Sequence, residues 1–180
     1  MIAKGQMTPR LPLIEAPDDP LAREQFVKLA AGRGILNLHR MMAYAPGLMK
    51  ASGDMAMAFR NEAILVRALA EIVILRTAQV AECDYEWERH VPLARAAGVS
   101  ERQIADVGRW PQSTAFNQEE KIALKYAETL AGGAPVDDQM FAMLRQHLSA
   151  REIVALTMLV GFYVSTAIFI KALAVPDDNG

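Results

Sequence analysis

From Ile153 to Ile170 the chain runs eighteen residues without a charge (IVALTMLVGFYVSTAIFI). That segment constrains the fold more than any other, because a helix apolar on every side must be buried in a core, in a subunit interface or in lipid. Eighteen residues is the short end of a bilayer span. Thr157, Gly161, Tyr163, Ser165 and Thr166 dilute the run, and Glu152 and Lys171 border it. The segment is therefore expected to be a core or interface helix rather than a membrane helix.

The rest of the chain reads as helix separated by short stops. An extended lead-in containing Pro9, Pro12, Pro17 and Pro20 occupies residues 1–20, with Asp19 placed to cap a helix that has Pro20 at its first position. That helix runs from Leu21 to about Ala31, and a second covers Ile35 to Tyr44. Pro46 to Met57 is expected as a short methionine-rich piece, its methionines serving as core filler. Asn61 is expected to cap a long helix from Glu62 to Val80, a stretch free of Gly and Pro. Asp84 is expected to cap the next helix, which Gly98 ends. Ser100 with Gln103, Asn117 with Glu120, and Ser149 with Glu152 fit capping boxes that start three more. Glu119–Ala131, Asp137–His147 and Glu152–Ala174 complete the set. No alternating strand pattern of useful length occurs, so the class is all-α. The expected organisation is one helical domain over residues 21–175 with a polar tail at 176–180.

Composition narrows the function classes. Nineteen basic and 21 acidic residues leave a formal charge of -2. Such a balance creates no long-range field for nucleic acid or an anionic membrane, and neither is expected as a partner. One cysteine makes no internal disulfide, and the first residues lack the basic-then-apolar order of a secretory signal. A cytoplasmic location is expected. His39, His90 and His147 have no ligand spacing for a metal, and there is no phosphate-cradling glycine loop, dinucleotide fingerprint or nucleophile elbow. No cofactor is implied.

One group of residues stands out. Cys83, Glu86 and His90 recur at i, i+3 and i+7, which places them along one stripe of a helix. Glu71 lies on the preceding helix in the otherwise apolar run Leu69–Ile74, where a carboxylate needs a partner. Arg67, one turn earlier, or Arg76 can supply it. Taken singly, each residue also has a structural role available: an ion pair for Glu71, a core histidine satisfied by Glu86 for His90, a small buried apolar residue for Cys83. Their joint occurrence at a helix junction, beside Tyr85 and Trp87, points to a site.

Here the chain resembles the carboxymuconolactone decarboxylase-like superfamily, which includes the alkylhydroperoxidase D-type proteins. The family pattern is Glu, eleven residues, Cys-x-x-Cys, three residues and His. This chain has Glu71, Cys83-Asp84-Tyr85-Glu86 and His90 at the same spacing. Glu71–Arg76, Tyr85-Glu86-Trp87, His90–Ala94, Ala97–Ser100 and Val160–Tyr163 resemble the decarboxylase branch in particular. The similarity runs from about Ile35 to Ala174. It implies an alkylhydroperoxidase D-like helical bundle, self-association as a trimer or hexamer, and a small-molecule substrate met near a subunit boundary. The repeated phrase Glu71–Leu75 and Glu152–Leu156 is too short to claim a duplication.

The chain departs from that pattern where the second cysteine should stand, for Glu86 occupies its place. In the peroxidase branch the resemblance implies a thiolate oxidised to sulfenic acid and resolved by the partner thiol, a cycle a single cysteine does not close alone. Glu71, Glu86 and His90 remain, a set suited to moving protons. The resemblance implies a lyase or isomerase acting on a carboxylated lactone, with His90 as proton donor or base, Glu86 orienting it and Glu71 tuning it. Arg76, or Arg89, is a candidate to meet a substrate carboxylate, and Tyr85 and Trp87 are candidates to contact substrate. Two other readings stand beside this one: a one-cysteine hydroperoxide reductase using Cys83, and a non-catalytic oligomeric ligand-binding protein.

Overall fold

The computed structural model describes residues 8–32 and 34–178. The first part of the expected lead-in, residues 1–7, and the last two residues of the expected tail lie outside that range. Among the described residues there is helix and no strand, in agreement with the all-α expectation.

The described residues form nine α-helices, in order α1 Pro20–Ala30, α2 Asn37–Met42, α3 Pro46–Asn61, α4 Arg67–Val80, α5 Asp84–Ala96, α6 Glu101–Asp106, α7 Gln118–Ala131, α8 Asp138–His147 and α9 Ala150–Leu173. A 3-10 turn, Val107–Arg109, follows α6. The caps form where the side chains allow them. Asp19 accepts from the amides of Leu21 and Ala22, and reciprocal capping boxes form at Ser100/Gln103 and Asn117/Glu120. Ser149 and Glu152 exchange the same pair of bonds at the start of α9.

The chain falls into two compact units. The first comprises residues up to Ala58 and from Phe169 onward. Its core is Ala22, Phe26, Ala43 and Met49, with Ile14, Leu29, Ile35 and Met42 against them. Arg10 serves the end of α9, donating its amide to the Leu173 carbonyl at 3.0 Å and its guanidinium to the Ala172 carbonyl at 2.8 Å. These are two of the carbonyls that a helix terminus leaves without an internal partner.

The second unit, Phe59–Ile168, centres on α4. Residues Leu69 to Leu75 are buried without interruption, so this helix is enclosed on all sides, and it packs most extensively against α5 and α7. One apolar cluster joins α4, α7, α8 and α9 through Val73, Ile74, Ala123, Leu144, Leu156 and Leu159. A second joins α4 to α5, α6 and α7 through Ile72, Leu75, Ala94, Ile104, Val107 and Leu124. The long apolar segment thus forms α9, and half of its most apolar window is buried. Val154, Met158 and Ile168 are exposed along its other side.

Besides shifts of a few residues, such as α3 running on to Asn61 and α2 covering Asn37–Met42, two boundaries differ in kind from expectation. Asn61 ends α3 instead of capping a helix, and the uninterrupted helix expected from Glu62 breaks until Arg67, because Ala63 adopts the left-handed region at φ 46°. The N-cap of α5 is Cys83, not Asp84, which becomes the first helical residue.

The second shift comes from how α4 stops. The Cys83 amide donates to the Ala78 carbonyl at 2.9 Å and the Glu82 amide to the Gln79 carbonyl at 3.1 Å, with Glu82 left-handed at φ 51°. This is the closure glycine usually provides, made here by a residue with a side chain. Glu82 is exposed, so Glu82→Gly is expected to stabilise the fold by up to about 1 kcal/mol, read as a higher urea midpoint at unchanged slope.

Candidate active site

The α4–α5 junction places the central residues. Glu71, one turn into α4, is 0% exposed. One of its oxygens pairs with the Arg67 guanidinium one turn earlier, and the other lies 2.8 Å from Nδ1 of His90 on α5. A carboxylate only accepts hydrogen bonds. In the neutral imidazole, Nδ1 therefore carries the proton and Nε2 the lone pair.

Glu86 sits one turn before His90 and is 3% exposed. Neither of its carboxyl oxygens has a hydrogen-bond partner among the described residues. The cause lies in the turn. Glu86 is the third residue of α5, the position from which a glutamate reaches back to the N-cap amide, but the Cys83 amide is committed to Ala78 in closing α4. Burial without a partner pushes the Glu86 carboxyl up to about 8, so it is a neutral acid at physiological pH.

Tyr163, from α9, closes the other side of His90. The two rings meet edge to face at 90°, with centroids 4.9 Å apart. Burial raises the phenol well above its ordinary value. The charges of Arg60 and Arg67 pull it down, and that of Glu71, with that of Glu86 once ionised at alkaline pH, pushes it further up. The phenol is thus within electrostatic reach of both acids and both arginines.

The residues singled out from sequence divide accordingly. Glu71 and His90 are in direct contact, and Glu86 shares the His90 stripe. Cys83 is buried at the N-cap of α5 on that stripe. Tyr85 is buried on the same helix, whereas Trp87 packs against the cluster of Ile72, Leu75 and Ala94. Arg76 is not brought to Glu71. Its guanidinium binds the Glu128 carboxylate at 2.9 Å and the Gln79 amide oxygen at 3.0 Å, and the Trp110 indole donates to the same carboxylate. Arg89 is half-buried on α5. Arg60, Arg67 and Tyr163 belong to the neighbourhood without having been singled out as site residues. Only the i, i+4 spacing of Arg67 to Glu71 and the Val160–Tyr163 phrase pointed toward them. Among the described residues no group of three or more His, Cys, Asp or Glu side chains is arranged to hold a metal ion.

Fold and site together define an all-helical protein with a buried histidine–carboxylate pair at a helix junction. The model of the carboxymuconolactone decarboxylase family matches residues 46–129. The uncharacterized protein YnjA of Escherichia coli (strain K12) is 32% identical over 119 residues, a match spanning 65% of this chain and 65% of that protein. Among solved structures, an uncharacterized peroxidase-related protein from Silicibacter sp. TM1040 superposes with a TM-score of 0.81 at 18% identity, covering 99% of this chain and 97% of that one. A variant of the debrominase Bmp8 in complex with 2,3,4-tribromopyrrole gives a TM-score of 0.80 at 16% identity, over 95% of this chain and 92% of that one. Residues 46–129 thus match the carboxymuconolactone decarboxylase family, on a fold like that of the solved peroxidase-related protein.

Proposed function

We propose that the protein is a cofactor-free lyase or isomerase that moves protons on a small carboxylated, lactone-like metabolite. The observation that carries this reading is the buried, partnerless Glu86 carboxyl beside the Glu71–His90 pair. One group is a neutral acid and the other an oriented base, which is the pairing proton transfer requires. His90 Nε2 accepts a proton from carbon, and the electron pair delocalises into the conjugated carbonyl. The proton returns at a more distant carbon. In the lyase variant the electron pair comes instead from the bond to departing carbon dioxide, and the carbanion is quenched by a proton. Glu71 acts as a positioning residue through His90. The exposed apolar side chains of Val154, Met158 and Ile168 on α9 support self-association as part of the same proposal.

The test is deuterium incorporation. A β,γ-unsaturated butenolide incubated with the protein in heavy water is expected to exchange its acidic C–H and shift its double bond, as followed by proton NMR. His90→Gln is expected to slow this about 10²-fold or more. No His90-dependent exchange across a panel of carboxylated and unsubstituted butenolides would overturn the reading.

A one-cysteine hydroperoxide reductase is the second reading, favoured by the position of Cys83 on the His90 stripe and by the peroxidase-related name of a structural neighbour. The thiolate would attack the peroxide to give sulfenic acid and an alcohol, and an external thiol would reduce it. Cys83→Ser separates the two. Butenolide exchange is expected to stay within about threefold of the parent protein, because the thiol takes no part in the proton transfer. Thiol-dependent peroxide consumption that disappears in this variant, with no butenolide exchange in the parent, would favour the reductase.

A further inference from the structure

Glu86 and Tyr163 raise a question that proton transfer by His90 alone does not answer. A carboxyl group that is 3% exposed, with neither oxygen satisfied among the described residues, is a costly arrangement. The turn geometry explains why the protein does not supply a partner, since the Cys83 amide is engaged by Ala78. Tyr163 lies against the same imidazole from α9. Its ring is buried and perpendicular to the His90 ring, within electrostatic reach of Arg60, Arg67, Glu71 and Glu86. Both groups flank one imidazole: Glu86 one helical turn before it, Tyr163 packed against it with the rings perpendicular.

We infer that the Glu86 carboxylic acid and the Tyr163 phenol form an oxyanion site, both donating O–H hydrogen bonds to one carbonyl oxygen of the substrate. This deepens the proton-transfer reading and rests on it, and it names the substrate class as an enolisable carbonyl compound. When His90 removes the proton, the C–H electron pair becomes the new carbon–carbon double bond and the carbonyl π pair moves onto oxygen. The enolate oxygen so formed is held by two neutral donors, which need not be desolvated or reorganised as charge develops. Protonation of the enolate at the distant carbon by the His90 imidazolium restores the carbonyl and the base. Atoms and electrons balance without an oxidant, a reductant or a metal. Neutral donors suit this role because a carboxylate at Glu86 would repel the oxyanion, whereas the acid attracts it.

The experiment uses 4-nitrophenolate, a stable planar oxyanion, as the probe. Its dissociation constant is measured near neutral pH by calorimetry for the intact protein, Tyr163→Phe and Glu86→Leu, with helical circular dichroism confirming that each variant is folded. Tyr163→Phe keeps the ring that packs on His90 and removes only the hydroxyl, so a purely structural tyrosine would leave binding unchanged. The expected result is binding by the parent protein, weakened about tenfold or more by each substitution. Failure of the parent to bind the phenolate, or dissociation constants within about twofold in both variants, would overturn the inference. If Tyr163→Phe and Glu86→Leu bind the phenolate as the parent does while His90-dependent butenolide exchange persists, the oxyanion pair is wrong and proton transfer stands. If the phenolate binds through both groups but no butenolide exchanges, the oxyanion pair is supported and the proton-transfer reading falls.

Discussion

Replacing Glu71 by alanine is expected to lower the stability of the fold by about 3–5 kcal/mol, the largest loss for any single substitution in the site. The carboxylate is 0% exposed and joins two partners, Arg67 on its own helix and His90 on α5. Its removal leaves the imidazole Nδ1 without an acceptor, strands the guanidinium and opens a cavity between helices whose remaining contacts are apolar. The Arg67 side chain is 35% exposed and recovers part of its loss from water. The effect therefore falls more heavily on His90. Urea unfolding reads the difference directly, and the midpoint temperature is expected to drop by roughly 10 °C. The double variant with His90→Ala is expected to lose less than the sum of the two single losses, because the groups share one bond. Additive losses would show that the Glu71–His90 contact contributes nothing.

The second large effect is a pH dependence with a defined sign. The unfolded Glu86 carboxyl loses its proton near 4.5 and the folded one near about 8. Between those values the native state holds one more proton than the unfolded state, so stability falls as pH rises through the window and levels off above it. The stabilisation is fully present below about pH 4.5 and is lost by the time the folded group ionises. The total is on the order of 5 kcal/mol, about 1.4 kcal/mol for each pH unit. Glu86→Leu removes the titrating group. Relative to the parent protein it is expected to gain stability steadily from pH near 5 to pH near 8 in chemical denaturation series. Parallel profiles for the two proteins would contradict the neutral state of Glu86.

How much of this was legible in the sequence differs from element to element. The helix starts at Asp19, Ser100, Asn117 and Ser149 were readable because each cap rests on a side chain and its near neighbours. The break between α3 and α4 was not. Neither Gly nor Pro marks residues 62–66, and a left-handed alanine at position 63 leaves no compositional trace. Glu71, Glu86 and His90 followed from helical periodicity and from the family resemblance. The choice between Arg67 and Arg76 is a matter of helical phase. Four residues bring a side chain back near Glu71, whereas five turn it well away. Arg76 accordingly meets Glu128, 52 residues distant, a pairing that local spacing does not encode. Tyr163 and Arg60 reach the site from α9 and the end of α3 through tertiary packing alone. The orphaned state of Glu86 was equally invisible. It depends on the Cys83 amide turning back to Ala78, a contact set by how α4 ends rather than by the glutamate itself.

Everything proposed for the site depends on a neutral, buried Glu86 carboxylic acid one turn from the oriented His90. Difference infrared spectroscopy of the parent protein against Glu86→Gln, titrated from about pH 6 to about pH 10, tests it most directly. A protonated carboxyl C=O band is expected that is present at neutral pH, disappears as the pH passes about 8 and is missing from the variant. A carboxylate signature for Glu86 already complete near pH 6 would contradict it.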